Sequence, residues 1–416
     1  MHTVRLDERL YRTDAANGVT VLSELMPGVR SVAVGIWVTT ASAHEPRPKM
    51  GVSHLLEHMV FKGTDRRSAR DIALELEVRG GSLDAYTSRD HTSYQARVLD
   101  EDLPRALDVL TDLVRNPVLR ERDLDLERKV VLEEISSVED MPDDLVFELH
   151  ASTMWPDHPY GFSILGTPET VSNLGSQDLR DLHERTYHPK HVVIAAAGNL
   201  NHELLLKLLA KCGWFTFGAG PEPAPVESVP AAVQTTRRVQ RDTAQEHIVL
   251  GTDTFPYRDT RRFPLILLTT VLGSGMSSTL FQRVREELGL AYTVHTYQSF
   301  YRETGVAGVY VATHPSTAEQ AVEVIREELA KLAAQGLESD RLAEAKQQLK
   351  GQVTLSLESP SARMYRLATV ALFGEPYRTI DQVLAEIDRV RPDQVTQVGH
   401  EFLNPDRQTV VWLGPN

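Results

Sequence analysis

The sequence predicts an α+β fold of two duplicated domains, each a mainly antiparallel sheet with helices packed on one face. Three observations carry this expectation. In both halves of the chain, β-branched runs that read as strands are followed by stretches of helical period. The succession Pro159-Tyr160, a helix, Pro189, a strand and Gly198 returns as Pro376-Tyr377, a helix, Pro405, a strand and Gly414, at a near-constant offset of half the chain. Between the halves, residues 218–238 hold Pro221, Pro223, Pro225 and Pro230 among small and polar residues, the composition of a linker. The expected division is a first domain over 1–217, a linker over 218–238 and a homologous second domain over 239–416.

Taken in order, residues 18–25 and 29–40 read as paired strands broken at Pro27-Gly28. A buried helix follows within 51–64. Ser68 is placed to cap a helix over 69–79, which Gly80-Gly81 ends. Residues 82–99 alternate as a hairpin around a polar turn at Ser88–His91, and helices are expected over 101–115 and 120–138. A helix and the strand His191–Gly198 close the first half. The second half opens with a strand over 246–255, an apolar helix over 261–273 and a helical segment near 277–288. Strands near 291–313, long helices over 316–335 and 338–357, and a last strand ending at Leu413-Gly414 complete it.

The chain is organised around the stretch Gly51-Val-Ser-His54-Leu-Leu-Glu57-His58-Met-Val-Phe-Lys-Gly-Thr64. Val52, Leu55, Leu56, Met59, Val60 and Phe61 make it apolar on every side, which marks a buried helix. His54, Glu57 and His58 stand at i, i+3 and i+4 and so share one face. Two imidazoles one turn apart can grip one metal ion, and a carboxylate between them can reach a water beside it. The order His-x-x-Glu-His is the inverse of the more familiar zinc peptidase spelling. A single histidine on such a face is ordinarily a satisfied core residue, whereas two with a glutamate are costly to bury without a metal or partners.

Within 120–138, Leu124, Val131, Ile135 and Val138 lie on one face, and Glu127 and Glu134 lie on that face too. A spacing of seven is two turns less about 20°, so both carboxylates point the same way. Solvation explains Glu121, Glu133 and Glu139 but not a carboxylate on an apolar face. The metal helix could supply the missing partner.

Composition narrows the classes. The net charge of −14 argues against nucleic acid as a partner. Cys212 is the one cysteine, which rules out an intrachain disulfide and a cysteine metal cluster. The N-terminus is polar and no apolar run approaches the length of a membrane span, so the expectation is a cytoplasmic protein without a membrane segment.

These residues resemble the pitrilysin/insulinase family of zinc peptidases, in the short branch that holds the mitochondrial processing peptidases and their bacterial relatives. The resemblance covers essentially the whole chain, and His54-Leu-Leu-Glu57-His58-Met-x-Phe-Lys-Gly-Thr follows the family's opening motif almost letter for letter. It implies one Zn2+ per chain, held by His54, His58 and a glutamate well downstream of them, whose place in the family pattern falls on Glu134. It also implies Glu57 as the base acting on a zinc-bound water, and Glu127 as the residue orienting a ligand histidine. For Glu127, a buried carboxylate without catalytic weight remains the plainer alternative.

The segment Gly80-Gly81-Ser-Leu-Asp84-Ala85-Tyr86-Thr-Ser resembles the edge strand that pairs with substrate backbone, so Asp84, Ala85 and Tyr86 would bind peptide. Asp84 departs from the usual asparagine, and Ala41-Ser-Ala-His-Glu departs from the usual Gly-Ser-Arg. Met276–Tyr292 resembles the segment whose Arg285 and Tyr292 assist catalysis. Asp144 and Glu148 match positions that recognise an arginine near the cut, although a solvated acidic surface is an equal reading. The fold implied is half of a clamshell chamber. Its other half would be a second copy, or a related chain in a heterodimer, with Arg285 and Tyr292 serving the partner's zinc site. The expected function is a zinc endopeptidase acting on peptides or unfolded segments. A catalytically silent partner subunit is the alternative, and a metal store or sensor is weaker because it leaves Glu57 unexplained.

Overall fold

The computed structural model describes residues 1–415. Its first half runs through strands β1 (His2–Asp7), β2 (Leu10–Asp14), β3 (Thr20–Leu25) and β4 (Ser31–Val38), then helices α1 (Val52–Val60) and α2 (Ala69–Glu77). The hairpin β5 (Ser82–Thr87) and β6 (Thr92–Leu99) leads into α3 (Leu103–Arg115), α4 (Glu121–Glu139) and α5 (Pro142–Met154). Helices α6 (Pro168–Asn173) and α7 (Ser176–Thr186), strand β7 (Val192–Gly198) and α8 (His202–Lys211) follow. The second half holds β8 (Thr236–Gln240), β9 (Glu246–Thr254), α9 (Arg262–Gly273), β10 (Ala291–Phe300) and β11 (Gly305–Thr313). It ends with α10 (Ala318–Gln335), α11 (Ser339–Ser356), α12 (Pro360–Leu372), α13 (Ile380–Arg389), α14 (Pro392–Phe402) and β12 (Thr409–Gly414).

These elements form a mixed α+β architecture with two sheets and two compact units. The first unit comprises 1–135, 163–227 and 356–377; the second takes 136–162, 228–355 and the residues from 378 onward. A single boundary at a 218–238 linker does not describe this division. Residues 136–162, placed by sequence in the first domain, sit in the second unit, and 356–377 sit in the first. The two strays are equivalent pieces of the repeat. They contain α5 and α12, which are equal in length, both open on proline and stand half a chain apart. The repeat is just as plain later on, since α7 and α14 are also equal in length and separated by nearly the same offset.

In the first unit the sheet order is β1-β2-β3-β7-β4-β6-β5. Only β3 and β7 pair in parallel; the rest is antiparallel. Alternation decides what each face meets. Val32, Val34, Ile36 and Val38 of β4 join the core that includes α1 and α3. The opposite face carries Gly35 and Trp37 and receives α12, whose Tyr365 meets the Trp37 ring edge-on at 6.1 Å. Gly35 is required there, because a Cβ would fall 2.6 Å from the Trp37 ring.

The second unit has the order β10-β11-β9-β12-β8 and the same logic. Ile248 and Leu250 face the main core, while Val249 on the other face packs with Val146 of α5, Val411 and Leu413. Helices therefore gather on one face of each sheet, and one helix from the opposite half of the sequence covers the other. Among the described residues, no helix is long and apolar enough to cross a membrane.

Candidate metal centre

Helix α1 begins at Gly51, whose φ of +88° lies in the left-handed region, and a Cβ there would meet the Leu165 carbonyl oxygen at 2.6 Å. The buried Glu45 carboxylate accepts from the backbone N–H groups of Gly51 and Ser53, each at 2.8 Å. Those bonds satisfy donors that a helix start leaves open. Burial nevertheless pushes the Glu45 pKa up to about 6, against these hydrogen bonds. Val52, Leu55, Leu56, Met59 and Val60 are buried in the core. His54 and Glu57 are buried as well, and His58 is half-buried.

Helix α4 brings the second set of groups. Leu124, Val131 and Ile135 seat it in the core, and Glu127 and Glu134 share that side. One oxygen of Glu134 lies 3.6 Å from His54 Nε2 and 3.6 Å from His58 Nε2. The three atoms lie within 4.8 Å of one another. Ligands 2.0–2.2 Å from a tetrahedral cation would be separated by about 3.4 Å, so two imidazole nitrogens and a carboxylate oxygen at this spacing fit three of its corners. Glu134 is half-exposed, which leaves the group open on one side.

The surroundings set the charge state and orientation of these side chains. Burial, and then the neighbouring His58, lowers the His54 pKa to about 3, so His54 presents a neutral ring. Its Nδ1 is buried with no hydrogen-bond partner among the described residues. His58 Nδ1 is 3.0 Å from Glu127 Oε1, while the other Glu127 oxygen takes the Lys62 ammonium at 2.5 Å. Burial opposes ionisation of Glu127, but the His58 and Lys62 hydrogen bonds outweigh it and hold its carboxyl below the usual range. Burial likewise opposes the charge on His58, and the Glu127 hydrogen bond with the nearby carboxylates reverses the direction. Burial raises the Glu57 pKa against a hydrogen bond that the Thr87 hydroxyl donates to its Oε2 at 2.6 Å.

The expected peptide-binding residues lie on β5, an edge strand of the first sheet that among the described residues pairs with β6 alone. The Asp84 carboxylate accepts from the Ala85 N–H at 2.9 Å. Tyr86 holds its hydroxyl 3.1 Å from His91 Nε2, with its ring beside Tyr365. Arg285 and Tyr292 belong to the second unit. Arg285 lies in a π-type helical turn over Phe281–Glu287, with its guanidinium 4.4 Å from the Tyr292 ring centre. Tyr292 is 74% exposed, so the pair lies at the surface where β10 begins. Asp144 and Glu148 are on α5, also in the second unit; Asp144 is exposed and Glu148 half-buried. Thus His54, Glu57, His58, Glu127 and Glu134 come together in one unit, and Arg285 and Tyr292 come together in the other.

Residues 20–168 match the family model described as Insulinase (Peptidase family M16), and residues 173–349 match the one described as Peptidase M16 inactive domain. The chain belongs to peptidase family M16. An uncharacterized zinc protease of Streptomyces coelicolor is 38% identical over 97% of this chain and 89% of its own length. The uncharacterized zinc protease YmxG of Bacillus subtilis is 38% identical over 95% of this chain and 96% of its own length. In fold, a protease from Helicobacter pylori superposes with a TM-score of 0.91 at 22% identity, covering 98% of this chain and all of that one. A peptidase M16 inactive domain from Pseudomonas fluorescens gives 0.91 at 19% identity, covering 98% of each chain.

Three residues of this M16 centre escape the sequence reading. Lys62, which holds Glu127, stands in the quoted motif as an ordinary basic residue. Glu45 ends the segment Ala41-Ser-Ala-His-Glu, which stands out in sequence only by its departure from the usual Gly-Ser-Arg. Thr87 is one of two threonines in an alternating hairpin. The only signal was proximity in sequence to α1 or to the edge strand, and proximity does not identify a partner.

Proposed function

We propose that this chain is a zinc-dependent endopeptidase acting on peptides or unfolded segments. The observation that carries the reading is the convergence of His54 Nε2, His58 Nε2 and a Glu134 oxygen, with Glu57 on the same helix face. His54, His58 and Glu134 would hold the ion, a two-imidazole, one-carboxylate set of the kind zinc takes in catalytic sites. When bound, zinc would supply Lewis acidity toward a carbonyl and toward water. Glu57, with its pKa raised by burial, takes a proton from a water molecule and returns it to the leaving amine. Glu127, fixed by Lys62, holds the His58 ring by its Nδ1 and leaves Nε2 free for the ion. An extended peptide would add to the open edge of β5 near Asp84, Ala85 and Tyr86, so that backbone groups, with little sequence choice, carry its affinity.

Arg285 and Tyr292 would hold substrate or steady the developing oxyanion. Because they belong to the second unit, we place them in the site of a partner copy within a homodimer, with a related chain as the alternative partner. The silent-subunit reading draws on the match to a family model described as inactive. That match covers 173–349, which does not include the histidine pair. Metal analysis of purified protein, with peptide cleavage measured before and after chelation, tests the proposal. Bound zinc and chelator-sensitive cleavage are expected; a zinc-loaded protein that cuts no peptide would favour the silent subunit.

A further inference from the structure

We infer that Thr87 is a positioning residue for Glu57, tying the edge strand to the proposed general base. The inference rests on the peptidase reading above, but the contact itself is a feature of the first unit alone. Thr87 is the last residue of β5, paired with Thr92 across the hairpin, and its hydroxyl donates to Glu57 Oε2 at 2.6 Å. Among the described residues it is the one hydrogen-bond donor to that carboxylate.

A glutamate on a helix has three side-chain torsions, and burial alone does not fix the last of them. One short bond from a β-branched residue, itself stiff at χ1, pins Oε2 and leaves Oε1 as the oxygen able to accept a proton. Thr92, buried beside Thr87 with their hydroxyls 3.5 Å apart, backs the donor. The strand proposed to receive peptide backbone therefore ends on the group that orients the base, so peptide and base share one rigid support.

The test compares wild type with Thr87→Val, which keeps the shape and removes the donor, and Thr87→Ser, which restores the donor on a smaller side chain. Zinc content, kcat and KM on a quenched-fluorescence peptide are measured for each. Thr87→Val should keep its zinc and a KM within about twofold while kcat falls about tenfold or more, the loss expected for a hydrogen bond to a charged group. Thr87→Ser should recover most of that loss. A kcat for Thr87→Val within twofold of wild type would overturn the inference, as would Thr87→Ser no better than valine.

Thermal unfolding of the metal-free Thr87→Val, Glu57→Ala and double variants separates this from failure of the peptidase reading. The contact predicts that the valine lowers Tm by about 2–4 °C in the wild-type background and by much less once Glu57 is gone. Equal shifts in both backgrounds would overturn the contact even if no cleavage were ever seen. Coupled shifts in a wild type that cuts nothing would retain Thr87 as the support of Glu57 and discard the base.

Discussion

His54 and His58 have opposite pKa directions though they sit one turn apart on the same helix. His54 is buried, its Nδ1 without a partner among the described residues, and stays neutral, whereas His58 leans on Glu127 and is drawn toward the charged form. Among the described residues, Glu134 is the one carboxylate that reaches both Nε2 atoms. Glu134→Gln should therefore lose most of the bound zinc in metal analysis, while Glu133→Gln keeps it; the reverse result would reassign the third ligand. Removing the Glu127 carboxylate should weaken zinc affinity by about 10–100-fold, the usual cost of losing the group that orients a ligand histidine. Unaltered affinity in Glu127→Gln would reduce it to a buried hydrogen-bonding residue.

At the scale of elements, the N-terminus of α1 is held by a carboxylate that is buried at some cost. Glu45 has a folded pKa of about 6 against an ordinary 4.5, so the folded state binds its proton more tightly than the unfolded one. Stability from this group is greatest below about pH 4.5 and falls as pH rises to about 6, by roughly 2 kcal/mol in all. Denaturant unfolding of metal-free wild type and Glu45→Gln across pH 4.5–7 should show this slope in the difference between the two curves. Parallel curves would mean that Glu45 ionises normally. The acidic pair on α5 offers a test of specificity. If Asp144 and Glu148 recognise basic side chains, Asp144→Asn with Glu148→Gln should lower the share of cuts near arginine in a peptide-library digest, and an unchanged profile would leave them as a solvated surface.

Most of the elements were legible because they depend on local pattern. Ser68 caps α2 through the Asp71 N–H, as its position before an apolar-periodic run suggests. Glu127 and Glu134 could be placed on one face from their spacing of seven. Other elements were not legible from pattern alone. Nothing local in Pro142–Met154 or Pro360–Leu372 says which sheet each will cover, since one apolar helix face can serve either unit. Thr87 and Lys62 were equally hidden, because a hydroxyl or an amine acquires its role only when the fold brings a carboxylate to it.

At the scale of the whole molecule, the histidine pair occurs in one half of a duplicated chain and the Arg285/Tyr292 pair in the other. A homodimer with reciprocally completed sites predicts that inactive Glu57→Gln and inactive Tyr292→Phe chains, mixed under exchange conditions, recover one working site in each mixed dimer. A mixture that stays inactive would confine each site to one chain. Both halves of that proposal depend on His54, His58 and Glu134 holding a zinc beside the base Glu57. The most direct test of that site is one peptide mixture digested by zinc-loaded wild type, chelated wild type, zinc-restored wild type and zinc-loaded Glu57→Gln, with metal content measured in parallel. Cleavage is expected from the first and third only, with Glu57→Gln retaining its zinc but cutting at least about a hundredfold more slowly. Cleavage that survives chelation, or a Glu57→Gln protein as fast as wild type, would contradict the assignment of zinc and base.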